Sequence, residues 1–310
     1  MNLFEIEAQP IPKTLQEQYI TAPFSILDTR QGYWQKRKIY YNQLFDLKDD
    51  IGRDEHLQGN IISRKYFKNG FNEGAVNTSI FDPVLCEIIY KWFSRKNDQI
   101  IDPFAGGITR GLLASVLDRN YTGIDLSENQ IIANKEKYSE ISKKFINVKE
   151  PNWICGDSLN CKELATNKYN LLFTCPPYYD LEVYSNKLND LSNKPTYEEF
   201  VASYNQIILN ACDMLVEDSF AVIVVGDIRD KSGFYRDFIS DTKRAFINSN
   251  CKLYNELILI EQIGNAAIRA GRHFNTSRKI TKIHQNVLIF YKGDAKNISK
   301  KFGDFNNDAI

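Results

Sequence analysis

The 310-residue chain has no run of about 18 apolar residues, so no segment is long and apolar enough to cross a bilayer as a helix. The opening MNLFEIEAQP carries acids where a secretory signal needs a basic and then an apolar stretch, which leads us to expect a cytoplasmic protein. Net charge is also missing. Lysines plus arginines number 39 and acids 39, so any attraction for a polyanion must be local. There are only three histidines (His56, His273 and His284), and none of the six cysteines falls in a CxxC pair, which argues against zinc or any other metal. Cys86, Cys155, Cys161, Cys175, Cys212 and Cys251 read as reduced, several of them as small buried hydrophobes. Hydrophobic residues at 43% and charged residues at 25% exclude wholesale disorder.

The first 75 or so residues are polar, aromatic-rich and weakly periodic. From Thr78 onward, short β-branched and aromatic runs alternate with longer amphipathic stretches. Strands are expected at Gln99–Phe104, Tyr121–Leu126, Asn152–Cys155, Asn170–Cys175, Phe220–Val225, Lys252–Ile260 and Asn286–Tyr291. Ile80–Phe93 carries an apolar stripe at helical spacing, and Ser127 with Gln130 reads as a capping box opening a helix toward Tyr138. Phe200–Leu215 and Phe234–Ile247 are further helices. This alternation predicts an α/β fold: a doubly wound, mostly parallel, seven-stranded sheet whose last strand is antiparallel. A loop of about 25 residues is expected before that last strand. The expected division is an aromatic and basic extension over 1–76 and a single catalytic domain over 77–310.

In such a sheet, ligands bind beyond the carboxyl ends of the strands, so those ends carry the chemistry. The first ends in Asp102-Pro-Phe-Ala-Gly-Gly107, the second in Gly-Ile-Asp125, the third in Cys-Gly-Asp157 and the fourth in Cys175-Pro-Pro-Tyr178. A lone acid there is commonly a helix cap, and a glycine pair a tight turn. Their occurrence in order on consecutive strand ends points instead to a ligand with hydroxyl and amino groups for carboxylates to accept from. A dinucleotide fold would place G-x-G-x-x-G after the first strand, and this chain does not.

These four segments resemble the ordered motifs of the S-adenosylmethionine-dependent DNA amino-methyltransferases, over roughly Asn77 to Gly293. Ser79-Ile-Phe-Asp-Pro-Val-Leu85 is similar to the family's additional cofactor motif, and His284-Gln-Asn-Val-Leu-Ile-Phe290 to its last strand. Pro23 to Trp34, Tyr179 to Ser185 and Val225 to Asp230 resemble a group of such methylases common in phages and mobile elements. The resemblance implies a class I methyltransferase, Rossmann-like, with S-adenosylmethionine as cofactor and a flipped-out adenine or cytosine as target. Asp82 and Pro83 would lie at the methionine end, with Asp102 near its amino group. Phe104, Ala105 and Gly106 would border the cofactor, with Asp125 and Leu126 at the ribose and Asp157 and Ser158 at the adenine. Carbonyls around Cys175 and Pro176 would accept the target's amino hydrogens, Cys175 would also border the cofactor, Pro177 would stiffen the turn, and Tyr178 would stack on the base.

Two departures from the family pattern stand out. Ile108 replaces a second glycine, and Cys175 replaces the usual Asp, Asn or Ser, so the residue that hints at adenine or cytosine is missing. A nucleophilic role for Cys175, as in carbon-5 methylation, would need a Pro-Cys order that is absent. An RNA or small-molecule methyltransferase and an inactive DNA-binding relative use the same fold. A homodimer or a restriction-modification partner is compatible with the sequence. For DNA, the expected grip is the basic loop 262–284, which contains Arg269, Arg272, Arg278 and Lys279 and no acid. Arg30 and Lys36 among Tyr33, Trp34, Tyr40 and Tyr41 form a second basic patch, to which Arg64, Lys65 and Lys68 would add.

Overall fold

The structure, a computed structural model, describes residues 13–47, 80–146, 148–180, 187–264 and 266–305. His56, Arg64, Lys65, Lys68, Ser79, the boundary at 76/77 and the stretch 181–185 of the expected motif lie outside these residues. Eight strands form one sheet: β1 (Ile26–Asp28), β2 (Gln99–Asp102), β3 (Asn120–Asp125), β4 (Asn152–Cys155), β5 (Tyr169–Thr174), β6 (Leu215–Val225), β7 (Lys252–Ile260) and β8 (His284–Lys292). Their order is β1-β7-β8-β6-β5-β2-β3-β4. All neighbours are parallel except β8, which runs antiparallel to both β6 and β7. The sheet is therefore doubly wound and Rossmann-like as expected, with one strand more than the seven predicted. The extra edge strand is β1, three residues paired in parallel with Ile258–Ile260, too short to display any alternation in sequence.

The central strands are buried on both faces, so alternate residues feed two cores. Ile100, Leu171, Phe173, Val222 and Ile289 face one core. It is completed by α2 (Gly32–Phe45), α3 (Pro83–Phe93), α4 (Thr109–Val116) and α5 (Glu128–Ser142), after a one-turn α1 (Leu15–Tyr19). Ile101, Leu172, Ala221, Ile223 and Leu288 face the other, with α6 (Cys161–Leu164), α7 (Tyr197–Asp213) and α8 (Phe238–Asn248). Local chemistry sets the helix starts. Asp82 Oδ1 accepts from the amides of Val84 (2.9 Å) and Leu85 (3.3 Å), with Pro83 at the first helical position, so α3 begins three residues later than the apolar stripe suggests. Ser127 caps α5 through the Gln130 amide.

Residues 13–47 pack against the sheet. Trp34, Tyr41 and Phe45 on α2 are fully buried in the same core as α3. The 25-residue loop is also corrected: it contains α9 (Ala266–Ser277), none of whose residues is buried. A short α10 (Ile298–Phe302) closes the described chain.

Candidate active site

The strand order reverses between β2 and β5, the two strands that carry Asp102-Pro-Phe-Ala-Gly-Gly107 and Cys175-Pro-Pro-Tyr178 at their carboxyl ends. In doubly wound sheets ligands bind at such a reversal, so the residues around it form the candidate site.

Asp102, expected near the methionine amino group, is tied into the protein itself. It is fully buried, and its carboxylate accepts from Arg110 Nε (2.6 Å), Tyr121 OH (2.8 Å), Thr174 Oγ1 (2.6 Å) and the Phe104 amide (3.1 Å). A buried carboxylate needs such a set, because desolvation without partners is costly. Arg110 then reaches around the turn, donating to the carbonyls of Phe104 (2.6 Å) and Ala105 (2.9 Å). Burial alone would lower the Arg110 pKa; the Asp102 charge outweighs it and holds the guanidinium above its ordinary value. Burial pushes the Tyr121 hydroxyl well up, so it stays a donor to Asp102. Asp102 therefore shapes the glycine turn from beneath. Arg110, Tyr121 and Thr174 do not stand out in the sequence; the one clue is an arginine set in the apolar Gly-Leu-Leu-Ala context of α4, which needs a buried acid.

The turn above this network is open. Gly106 has φ 51, the left-handed region glycine enters without strain, and its amide donates to Asp125 Oδ2 at 2.9 Å. Asp125 Oδ1 accepts from the Ser127 amide (2.8 Å), so the half-exposed carboxylate bridges the glycine turn and the start of α5. Asn134 ties the Gly106 carbonyl down from α5 (2.8 Å). Phe104 is half-buried and stacks near Tyr204, and Ala105 is buried with its amide on the Ile124 carbonyl. Leu126 presents its carbonyl to Lys187 Nζ (2.6 Å). Asp157 caps the turn 158–160 through the Leu159 amide (2.9 Å) and also accepts from Asn189 Nδ2 (2.9 Å). Ser158 Oγ donates to the Pro103 carbonyl (2.5 Å) and locks the β4 exit to the glycine turn. Asp82 is occupied by Trp34 Nε1 (3.2 Å) and Lys38 Nζ (3.0 Å) as well as by its capping contacts.

On the β5 side, Cys175 is half-buried against the first core and Pro176 is buried. Tyr178 packs edge-on to Phe238 (6.4 Å), and a Cβ on Gly226 would come within 3.7 Å of its hydroxyl. That hydroxyl donates to Gln285 Oε1 (3.4 Å), whose Nε2 donates to Glu261 Oε1 (2.6 Å). The carboxylate can only accept, which fixes the Gln285 amide with its oxygen toward Tyr178. Neither Gln285 nor Glu261 stands out in the sequence; the antiparallel pairing of β7 with β8 sets Glu261 behind Gln285, which meets Tyr178. Burial raises the Glu261 pKa and lowers that of Lys282.

The basic side chains divide. Arg269 and Arg272 are exposed on α9, and Lys36 is exposed on α2. Arg278 folds back over Phe274 (5.1 Å), and Lys279 Nζ lies against Gly233, where a Cβ would be 2.7 Å away. Arg30 is held by Asp28 through Nε (2.8 Å) and Nη2 (3.0 Å), which neutralises it locally. Among the described residues no group of three His, Cys, Asp or Glu is placed to hold a metal ion, and no helix is long and apolar enough to cross a membrane.

No protein-family model matches the chain. A segment of 49 residues is 41% identical to the type II methyltransferase M2.MboI of Moraxella bovis, covering 16% of this chain and 18% of that protein. Solved structures similar to the chain include TrmN from Thermus thermophilus, with TM-score 0.45, 16% identity, and coverage of 68% of this chain and 49% of that one. A methyltransferase from Pyrococcus furiosus has TM-score 0.45 and 14% identity over 84% of this chain and 98% of its own. The magnesium protoporphyrin IX methyltransferase of Synechocystis PCC 6803, with bound SAH, has TM-score 0.41 and 7% identity, covering 64% and 74%. The chain thus spans about half of TrmN and under a fifth of the curated relative.

Proposed function

We propose that this chain is an S-adenosylmethionine-dependent methyltransferase acting on the exocyclic amino group of adenine (N6) or cytosine (N4) in DNA. The observation that carries the reading is the placement of Cys175-Pro-Pro-Tyr178 directly across the strand reversal from the Gly106 turn, with Asp125 and Asp157 beside it. The local identity to a type II methyltransferase supports it.

The donor set suits the cofactor. Asp125 and Asp157 are half-exposed carboxylates suited to ribose hydroxyls and an adenine amino group, and the glycine turn leaves the backbone approachable. When bound, the cofactor supplies an electrophilic sulfonium methyl group. The protein's own work is positioning. Asp125 holds the Gly106 turn in shape while facing the ribose, and the Asn189–Asp157 contact opens for the adenine. The carbonyls of Cys175 and Pro176, aimed by the two rigid prolines, accept the amino hydrogens and turn the nitrogen lone pair toward the methyl group. Tyr178 stacks on the flipped base, its ring fixed by Gln285 and Glu261. Arg269, Arg272 and Lys36 contact phosphates, with Arg278 and Lys279 joining by leaving their present partners. Because the carbonyls do the accepting, the Cys175 thiol is dispensable.

The test is co-expression with plasmid DNA followed by nucleoside mass spectrometry and sequencing. N6-methyladenine or N4-methylcytosine is expected, and the Cys175→Ala variant is expected to keep most of the activity. Unmodified DNA alongside methylated RNA nucleosides overturns the substrate class, and 5-methylcytosine with a trapped covalent adduct overturns the amino-transfer chemistry.

A further inference from the structure

The segment from Ile228 to Arg236 follows β6 and lies between Gly226 and Phe238, both of which adjoin Tyr178, and its construction exceeds what a connection to α8 requires. An isolated antiparallel bridge joins Arg229 to Tyr235, and the Asp230 amide donates to the Phe234 carbonyl at 2.8 Å. Asp230 Oδ1 accepts from Ser232 Oγ (2.6 Å), the Gly233 amide (2.7 Å) and the Phe234 amide (3.0 Å). Arg229 lies over the Tyr235 ring at 3.8 Å and donates to the Gly233 carbonyl at 2.7 Å. The base of the finger is clamped to the residues that follow the Cys175–Tyr178 turn: Arg236 lies 5.0 Å from the ring centres of both Tyr179 and Tyr197 and 3.6 Å from Asp180. Its tip meets the basic segment after α9, where Lys279 Nζ adjoins Gly233.

All this rigidity presents Phe234 to solvent, with Tyr235 half-exposed beside it under Arg229. Phe234 is 74% exposed. An exposed phenylalanine alone is ordinary. One fixed on a stiff finger, between the target turn and a basic helix, has its orientation settled before any partner arrives.

We propose that Phe234 enters the base stack of duplex DNA and fills the gap left when the target nucleotide turns out toward Tyr178. This rests on the DNA reading above. Removing a base from a duplex leaves its neighbours unstacked, and a planar apolar side chain inserted there restores part of the stacking. The cations around the finger, Lys231 and Lys279 with Arg269 and Arg272 beyond, suit the flanking phosphates.

The experiment compares Phe234→Ala and Phe234→Trp with the parent on synthetic duplexes carrying the mapped target site. In one duplex the target base is correctly paired, and in the other it faces a mismatch. The Ala variant is expected to lose roughly ten- to a hundredfold in kcat/KM on the paired duplex and only about threefold or less on the mismatched one, where extrusion is already easier. The Trp variant is expected to retain most activity. Cofactor affinity and thermal unfolding should match the parent in both variants. An Ala variant as active as the parent on paired duplex overturns the proposal, as does an equal loss on both duplexes. A parent that leaves duplex DNA unmodified overturns the reading beneath it.

Discussion

Asp125 ties three things together, because its two oxygens hold the Gly106 turn and the start of α5 while the carboxylate belongs to the candidate site. Its replacement by Ala removes a charge-assisted acceptor, and the expected cost in cofactor affinity is about 1.5–3 kcal/mol, read by calorimetry. Unchanged affinity would remove Asp125 from the cofactor site. Glu261 makes a different prediction. Its pKa is raised by burial, against the Gln285 hydrogen bond and nearby Lys38 and Lys282, which lower it. The folded protein therefore binds that proton more tightly than the unfolded chain does. Stability contributed at Glu261 must fall as pH rises from the ordinary carboxylate value through the raised one. In urea unfolding followed upward in pH from about 4.5, Glu261→Gln is expected to flatten this part of the profile. An identical slope in parent and variant would mean that Glu261 is not the group responsible.

At the scale of elements, the same substitution should have opposite signs in two helices. Gly111 in α4 packs against Trp153, and a Cβ there would sit 2.6 Å from the indole, itself enclosed by Tyr121 and Tyr138. Gly111→Ala is expected to destabilise by about 1–3 kcal/mol. Gly271 in α9 has no atom within 4 Å of a built Cβ, so Gly271→Ala should stabilise that helix by up to about 1 kcal/mol. Denaturant midpoints decide the first, and amide exchange within α9 the second. These two helices also mark where the sequence stops being legible. Strands β2 to β8 and α3, α5, α7 and α8 declare themselves because one face or both are apolar. α8 nevertheless begins at Phe238, four residues after the expected start, because Phe234 and Tyr235 belong to the bridged segment before it. α4 is short, interrupted by a glycine, and carries a buried arginine whose partner lies on another strand. α9 buries nothing, and its stripe of Ala267, Ala270 and Phe274 is built of small residues and one ring beside three basic side chains. Likewise, the motifs at the strand ends are visible in the chain itself, whereas Gln285, with Glu261 behind it, meets Tyr178 through long-range contacts.

For the whole molecule, the question is how the N-terminal segment relates to the sheet. Its composition, polar and aromatic with little periodicity, suggests an extension whose cations meet DNA. Its apolar anchors tell more: Trp34, Tyr41 and Phe45, at seven- and four-residue spacing, place one face of α2 in the core, with Tyr33 and Leu44 packed partly against it. Trp34 also donates to Asp82, so the segment reaches the start of α3 and the rim of the candidate site. Stability and substrate binding should therefore separate cleanly. Trp34→Ala is expected to cost about 3–5 kcal/mol in global unfolding, because it empties a fully buried site. The triple variant Arg269→Ala, Arg272→Ala, Arg278→Ala should unfold like the parent and bind cofactor normally. Its affinity for duplex DNA should fall, and the slope of log affinity against log salt should become shallower by up to about 0.9 for each phosphate that is no longer neutralised. A triple variant with parental affinity and slope would reduce the basic helix to ordinary surface. A Trp34→Ala variant with parental stability would mean that the sheet stands without α2, contrary to the way β1 and α2 close its edge.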